Sequence, residues 1–208
     1  MKQILNIILL AAVLFIISAC DGAGGPGIET VNFQEDNSGY IQFSTNDTDY
    51  YGWTLWHYYD ATEATPSGNL EVEYIKKSGS YWPSGVIFNY LDNQNFCHMQ
   101  LTTHGYYSIV EKYNNSNTSI VDWKTSSFIH QGLNVSNKVK VEWNNATSEF
   151  LFYINDNLAE IIPLSSFPSG RNGGKAGFIV AVGNEDVEDF PGAPADFRFK
   201  MIQPVTVP

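Results

Sequence analysis

The chain has 208 residues, with 22 Asp and Glu against 11 Lys and Arg, and its formal net charge is −11. This acidic balance excludes charge-driven binding to nucleic acid and adhesion to anionic lipid by charge. The chain holds only two cysteines, Cys20 and Cys97. Cys20 lies in the N-terminal motif described next, so we expect no disulfide within the chain and a core that is stable without one.

The N-terminus combines a basic residue, an apolar run and a small-residue motif. Lys2 precedes a mostly apolar run from Ile4, which ends in Ile17-Ser18-Ala19-Cys20. The run is too short for a spanning helix and is typical of a cleaved export signal. The tetrapeptide resembles the lipobox of bacterial lipoproteins. The resemblance implies that Cys20 becomes an acylated mature N-terminus, carrying lipid chains such as palmitate, which tethers the protein outside the cytoplasm at the cell envelope. An ordinary secretory signal with an incidental cysteine is the alternative.

The sequence predicts one folded domain after this signal. Residues 1–19 are the expected signal peptide, and residues 20–27 hold Cys20 and a Gly-rich stretch that is typical of a flexible linker. Residues 28–205 follow as one domain, long enough for a single sandwich or barrel with a sizeable core, and residues 206–208 form a short tail.

The body of the chain has the composition and periodicity of β-strands. Short runs rich in β-branched and aromatic residues are separated by Gly, Asn, Ser, Asp or Pro, and no segment sustains a helical period. In Phe96 to Leu101, for example, alternation places Cys97, Met99 and Leu101 on one face, which predicts a buried, unreactive thiol. The pattern predicts strands at Leu70–Ile75, Gly85–Tyr90, Phe96–Thr102, Tyr106–Tyr113, Lys138–Trp143, Glu149–Asn155, Leu158–Ile162, Gly177–Val182 and Ala195–Ile202.

The connections between these strands carry residues that suit tight turns. Gly105 closes Thr103-His104-Gly105, where a three-residue hairpin loop needs a positive φ. Asn155-Asp156-Asn157 supplies Asn and Asp, which tolerate the left-handed region. Many short strands at regular spacing predict an all-β fold of two packed antiparallel sheets.

The order of several blocks resembles concanavalin A-like lectin/glucanase jelly rolls, a group that includes laminin G-like and 3-keto-disaccharide-hydrolase-like domains. The blocks are Ser84 to Phe88, Asn95 to Leu101, Gly105 to Ile109, Trp123 to Ser126, Ile129 to Gly132, Asn137 to Val141, Phe152 to Asp156 and Gly174 to Phe178. Asp156 stands where the group usually has Gly. The resemblance implies a jelly-roll sandwich whose C-terminal strand pairs with a first strand at Thr30–Phe33.

No catalytic residue is assigned. Hydrolases that resemble this group carry an acidic strand motif, and the nearest sequence here is Glu71-Val72-Glu73, which lacks the third acid. The four histidines lack the partners of a nucleophile with an oriented base. The question of enzymatic activity therefore stays open, with a non-catalytic protein favoured.

Aromatic and amide side chains are the candidates for ligand binding. Strand alternation places His98 and Gln100 on the face opposite Cys97, where they would line a groove if that face is concave. Trp82 lies in a Gly/Ser/Pro loop, and Trp123 precedes a polar turn. Sugar rings stack on aromatic rings while their hydroxyls bond to polar side chains. The candidate set is Trp82, Tyr90, His98, Gln100, Tyr107 and Trp123. For the aromatic members other than Trp82, packing in the core of the sandwich is the favoured alternative.

An acidic segment is the candidate metal site. Glu185, Asp186, Glu188 and Asp189 fall within six residues, and calcium favours carboxylate oxygens from a flexible loop. Laminin G-like domains, which the chain resembles, commonly hold calcium. The segment lacks the regular spacing of a dedicated calcium loop, so a solvated acidic loop is the alternative.

Together these features predict a lipid-anchored binding protein that recognises a glycan at the bacterial envelope. Two alternatives stay open: a saccharide hydrolase of the same fold, and a module that binds another envelope protein.

Overall fold

The computed structural model describes residues 34–35, 38–45, 53–58, 70–78, 83–182 and 195–203. Within these ranges the chain is built from β-strands, with one short 3-10 turn at Leu164–Ser166. The strands are β1 Gln34–Glu35, β2 Ile41–Thr45, β3 Trp53–Tyr58, β4 Leu70–Ser78, β5 Ser84–Asp92, β6 Asn95–Leu101, β7 Tyr106–Tyr113, β8 Ser116–Thr125, β9 Ser136–Asn144, β10 Glu149–Ile154, β11 Asn157–Pro163, β12 Lys175–Val182 and β13 Ala195–Gln203.

The strands form two antiparallel sheets, which confirms the predicted all-β sandwich. The seven-stranded sheet has the order β1-β2-β13-β4-β9-β10-β11, and the six-stranded sheet has the order β3-β12-β5-β6-β7-β8. Hairpins join neighbours such as β5, β6 and β7. The two last strands return to positions inside the sheets: β12 lies between β3 and β5, and β13 lies between β2 and β4. These long returns give the jelly-roll connectivity.

Aromatic side chains fill the space between the sheets. Phe178 of the six-stranded sheet stacks on Phe199 of the seven-stranded sheet with ring centroids 4.3 Å apart. Phe88 meets Phe150 and Phe152 across the same interior, with centroids 5.6 and 5.5 Å apart. Burying each of these side chains stabilises the fold by roughly 1.5–3 kcal/mol. The inward faces of both sheets are thereby committed to packing, so a ligand has access only to their outer faces and ends.

All nine predicted strands are present, with their ends displaced by at most a few residues. The predicted turns also occur: Gly105 has φ 84°, and Asn155 and Asp156 have φ 48° and 64°. Four described strands were not predicted: β1, β2, β3 and β8. The polar sequence of β8 does not alternate. Among the described strands β13 pairs with β2 and β4, and the first strand that the resemblance implied, Thr30–Phe33, lies outside the described residues.

The predicted signal peptide (1–19), lipidated Cys20 with its linker (20–27) and tail (206–208) lie outside the described residues. Among the residues that the structure describes, no helix has the length and apolar character needed to cross a membrane.

Candidate functional site

The outer face of the six-stranded sheet presents the candidate binding residues. On β6, Cys97, Met99 and Leu101 are buried in the core, as predicted, so the alternate residues Phe96, His98 and Gln100 lie on the outer face. On β7, Tyr107 and Ile109 belong to the core, and the alternate residues lie on the outer face beside those of β6: Tyr106, Ser108, Val110 and Lys112.

The strand register brings a polar row across this face to the sheet edge. Gln100 lies opposite Ser108, and the next pair of strands continues the row toward β8. The pairing of β7 with β8 shifts between Tyr107 and Ile109, so that Asp122 and Trp123 together lie opposite Ser108. Such a bulge re-aims side chains at a sheet edge. Here it brings an indole ring and a carboxylate to the end of the row.

Two aromatic side chains are exposed at this edge. Trp123 is 49% exposed and Tyr106 is 45% exposed. Since Tyr106 pairs with Thr125, it lies diagonally across from Trp123 on the same face. Exposed rings next to hydroxyl, amide and carboxylate groups can stack on an apolar ligand face while accepting and donating hydrogen bonds at its rim.

Two buried polar atoms on the same face have no hydrogen-bond partner. The Ser108 hydroxyl belongs to a side chain that is only 2% exposed, and His98 Nδ1 is buried on the next strand. A buried polar atom without a partner costs about 1–3 kcal/mol, so such atoms call for an explanation. Both atoms are sealed from solvent here, so a polar ligand would reach them only when neighbouring side chains move.

His98 is a neutral group at physiological pH. Burial and, to a smaller extent, the charge of Lys112 lower the pKa of His98 to about 4. The Phe96 ring lies 5.8 Å from the His98 ring, and Lys112 Nζ lies 5.8 Å from the Phe96 centroid. A neutral imidazole in this setting offers one donor and one acceptor, which suits a hydroxyl-bearing ligand.

Three of the predicted binding residues are buried: Tyr90 and Gln100 are each 7% exposed and Tyr107 is 3% exposed, whereas Trp123 is exposed. Tyr90 lies in a small buried cluster with Ile87, Phe96 and Ile179, and its hydroxyl donates to Asn93 Oδ1 at 2.7 Å. Tyr107 is 3% exposed and points into the core, away from the outer face, where its neighbour Tyr106 lies instead. Alternation along β7 decides which of the two tyrosines faces outward. The sequence hides this alternation because one of the inward-facing positions holds the acidic Glu111.

Tyr107 instead helps to close the sandwich at its edge. Its hydroxyl donates a 2.5 Å hydrogen bond to Glu160 Oε1 on β11, and Lys124 of β8 pairs with the same carboxylate. Burial, aided by the bond to Glu160, raises the pKa of Tyr107 to about 12. This contact joins the two sheets beside Trp123 and therefore supports the strand on which Trp123 lies.

Two predicted site elements are not described. Trp82 and the acidic segment of Glu185, Asp186, Glu188 and Asp189 lie outside the described residues, so their proposed roles stay predictions. Within the part of the chain that the structure describes, His, Cys, Asp and Glu side chains form no group of three or more suited to a metal ion.

The acidic pair considered for catalysis lies on the other sheet. Glu71 and Glu73 share the outer face of β4, as alternation predicted. Glu71 lies 3.6 Å from Lys138 Nζ, and Glu73 accepts a hydrogen bond from Ser136. These partners give both carboxylates a structural role on that face.

Cys97 lies on the inner side of the candidate face and is fully buried. Burial, together with the nearby Glu111 carboxylate 3.8 Å from its sulfur, raises the pKa of Cys97. The thiolate needed for nucleophilic chemistry is therefore disfavoured.

Comparison with solved structures identifies the same fold at low sequence identity. No protein-family model and no curated protein matches the sequence. The carbohydrate-binding module CBM66 from Bacillus subtilis matches with a TM-score of 0.58 and 16% identity, over 82% of this chain and 89% of that one. A GH16 protein from a Bacteroides ovatus mixed-linkage glucan locus matches with a TM-score of 0.57 and 11% identity, over 83% and 85% of the two chains. A glycosidic hydrolase matches with a TM-score of 0.52 and 13% identity, over 86% and 82%. The chain therefore has a concanavalin A-like jelly-roll fold.

Proposed function

We propose that this protein binds a carbohydrate through the outer face of its six-stranded sheet and is held at the bacterial cell envelope, outside the cytoplasm, by lipid on Cys20. One observation carries the binding proposal: the exposed Trp123 lies across from Ser108, whose buried hydroxyl has no partner. A sugar supplies both missing elements, an apolar ring face for the indole and hydroxyls for the buried polar atoms.

The side chains of this face favour binding over hydrolysis. Glycoside hydrolysis requires two carboxyl groups about 5–10 Å apart across the scissile bond. The outer face of β6 and β7 carries Phe96, His98, Gln100, Ser108, Val110 and Lys112 and contributes no carboxylate, while Asp122 stands alone at the edge on β8. The structural likeness to a carbohydrate-binding module fits this arrangement.

The test is a glycan-array screen of the full-length protein, in calcium and in a chelator. Trp123→Ala is expected to weaken binding about five- to tenfold, because stacking of a sugar on an indole ring contributes about 1–1.4 kcal/mol. Tyr113→Ala is the matched control, because Tyr113 is an exposed aromatic of β7 at the far end of the strand from Trp123.

The other outcomes separate the alternatives. The absence of saturable binding on the array in both conditions contradicts the carbohydrate proposal and favours a protein partner. Release of reducing ends from a bound glycan, retained in Trp123→Ala, contradicts the non-catalytic proposal. Membrane association that persists in Cys20→Ala contradicts the lipid anchor.

A further inference from the structure

A concave site lies on the other sheet of the sandwich. An open pocket of about 650 Å³ forms where β4, the β8–β9 loop, β9 and the β10–β11 turn meet. Glu73 and Lys138 reach it from the outer face of the seven-stranded sheet, and Phe128 and His130 reach it from the loop. Asp156 and Asn157 complete it from the turn. None of these residues belongs to the face that carries Trp123.

Buried hydrogen bonds hold the walls of this pocket in place. Asn137, only 4% exposed, accepts from the backbone N–H of His130 at 2.8 Å and donates to the His130 carbonyl at 2.9 Å. Asn155 donates to Asn137 Oδ1 at 2.9 Å and to the Phe128 carbonyl at 2.7 Å. Two asparagines thereby fasten the loop to the turn, so the pocket is organised before any ligand arrives.

The pocket is rich in negative charge. The Lys138 ammonium is held by both carboxylate oxygens of Asp156, at 2.9 and 2.8 Å, and lies 3.6 Å from Glu71. The Glu73 carboxylate is then left with a hydroxyl donor, Ser136, as its hydrogen-bond partner. The pocket lining therefore holds two carboxylates, those of Glu73 and Asp156, against the one ammonium of Lys138, and this excess of negative charge favours a further cation in the pocket.

The uncharged polar groups of the pocket also favour a ligand that donates hydrogen bonds. His130 Nδ1 lies 2.9 Å from the carbonyl oxygen of Ser136. Because a carbonyl only accepts, this bond places the proton on Nδ1 and leaves Nε2 as an acceptor. The Phe128 ring, 37% exposed, adds an aromatic face of the kind that attracts organic cations and sugar rings.

We infer that this pocket binds an amino sugar whose amine is free and protonated. The ammonium group pairs with the Glu73 carboxylate, the sugar ring packs on Phe128, and ring hydroxyls donate to His130 Nε2 and the Asn157 amide oxygen. The acidic charge of the whole chain attracts such cations over a longer range. This site is independent of the proposed glycan site at Trp123.

The test is an NMR titration of the full-length protein with a trimer of glucosamine and with its N-acetylated counterpart, following the backbone amides of residues 126–135. The glucosamine trimer is expected to shift these amides saturably, and the acetylated trimer, which has lost the charge, is not. Glu73→Gln keeps the shape and the Ser136 contact but is expected to weaken binding about tenfold. Glu149→Gln, on β10 outside the pocket lining, is the matched control and should bind as the unaltered protein does.

Three results would overturn the inference: equal binding of both trimers, full binding by Glu73→Gln, or stronger shifts with a lysine tripeptide than with the amino sugar. Trp123→Ala separates this site from the first one. If glucosamine binding persists in Trp123→Ala while array binding is lost, the two sites are distinct, as inferred. Loss of both in that variant would contradict the separate pocket.

Discussion

The two outer faces of the sandwich treat their polar groups in opposite ways. On the seven-stranded sheet, charged side chains pair with one another, as Lys140 does with Glu142 at 2.8 Å and Lys138 with Asp156 at 2.8 Å. On the six-stranded sheet, His98 Nδ1 and the buried Ser108 hydroxyl have no partner, and Ser108 lies opposite the exposed Trp123.

This difference separates a face whose charged side chains pair with one another from a face that keeps the Ser108 hydroxyl and His98 Nδ1 buried without a partner. Exposed ion pairs contribute only about 0–1 kcal/mol each, so the paired face serves solubility more than stability. Buried polar atoms without partners are costly, and a fold that retains them gains something else from them. That contrast, more than any single residue, directs the binding proposal to the six-stranded sheet.

Acid should destabilise the face of the six-stranded sheet most, through His98. Its pKa is lowered to about 4 in the fold from 6.5, so the unfolded chain takes up the proton first. Stability conferred by the neutral ring is present above pH 6.5 and is lost as the pH falls toward 4, by about 3 kcal/mol. Urea unfolding at pH 7 and pH 4 should show a smaller loss in His98→Gln. Identical losses in the two proteins would contradict this assignment.

The next largest effect is expected where the other sheet meets its loops. Asn137→Ala removes three hydrogen bonds from the buried junction of the β8–β9 loop and leaves the N–H and the carbonyl of His130 without their side-chain partner, while Asn155 keeps its bond to the Phe128 carbonyl. We expect a loss of about 2–3 kcal/mol in urea unfolding and faster amide exchange in residues 126–135. Asn117→Ala, exposed on β8, should cost less than about 0.5 kcal/mol. Similar losses in the free energy of unfolding for both variants would contradict a special role of the Asn137 hydrogen bonds in stability.

A pair of serines provides the smallest and most direct comparison. Ser136→Ala removes the hydroxyl that donates to Glu73 and should cost about 1 kcal/mol. Ser108→Ala removes a buried hydroxyl without a partner and should leave stability unchanged within about 0.5 kcal/mol, or raise it. Equal losses in the free energy of unfolding would mean that Ser108 is satisfied in the unliganded protein after all.

Most of the fold could be predicted because alternation is a local signal. Val139 and Val141, or Phe150 and Phe152, show their inward face within a few residues of sequence, and Asn155 and Asp156 mark their turn. β8 was not predicted because its two shifts in register with β7 interrupt the two-residue alternation by which a strand is identified in sequence. Its identity as a strand depends on pairing with β7, which is tertiary information.

The candidate site was predictable only in part, for the same reason. His98 and Gln100 were placed on the outer face by alternation alone; the core cluster includes Cys97, Met99 and Leu101 but neither of these two, and their role in binding stays a prediction. Tyr106 was missed because Tyr106 and Tyr107 are adjacent and equally apolar in sequence. Adjacent residues of a strand face opposite sides of the sheet, so a shift of one residue decides which tyrosine is exposed. The pocket of Glu73, His130 and Asp156 joins three separated segments, so only the sheet order brings it together.

Cys97, described above as a chemically quiet thiol, also gives the protein an internal reporter. Its sulfur lies between the two sheets, and burial holds it in the protonated form. A thiol reagent in solution can reach it only when the sheets separate far enough to admit solvent. The rate at which Cys97 is modified therefore records how often the sandwich opens, in the native state and without denaturant.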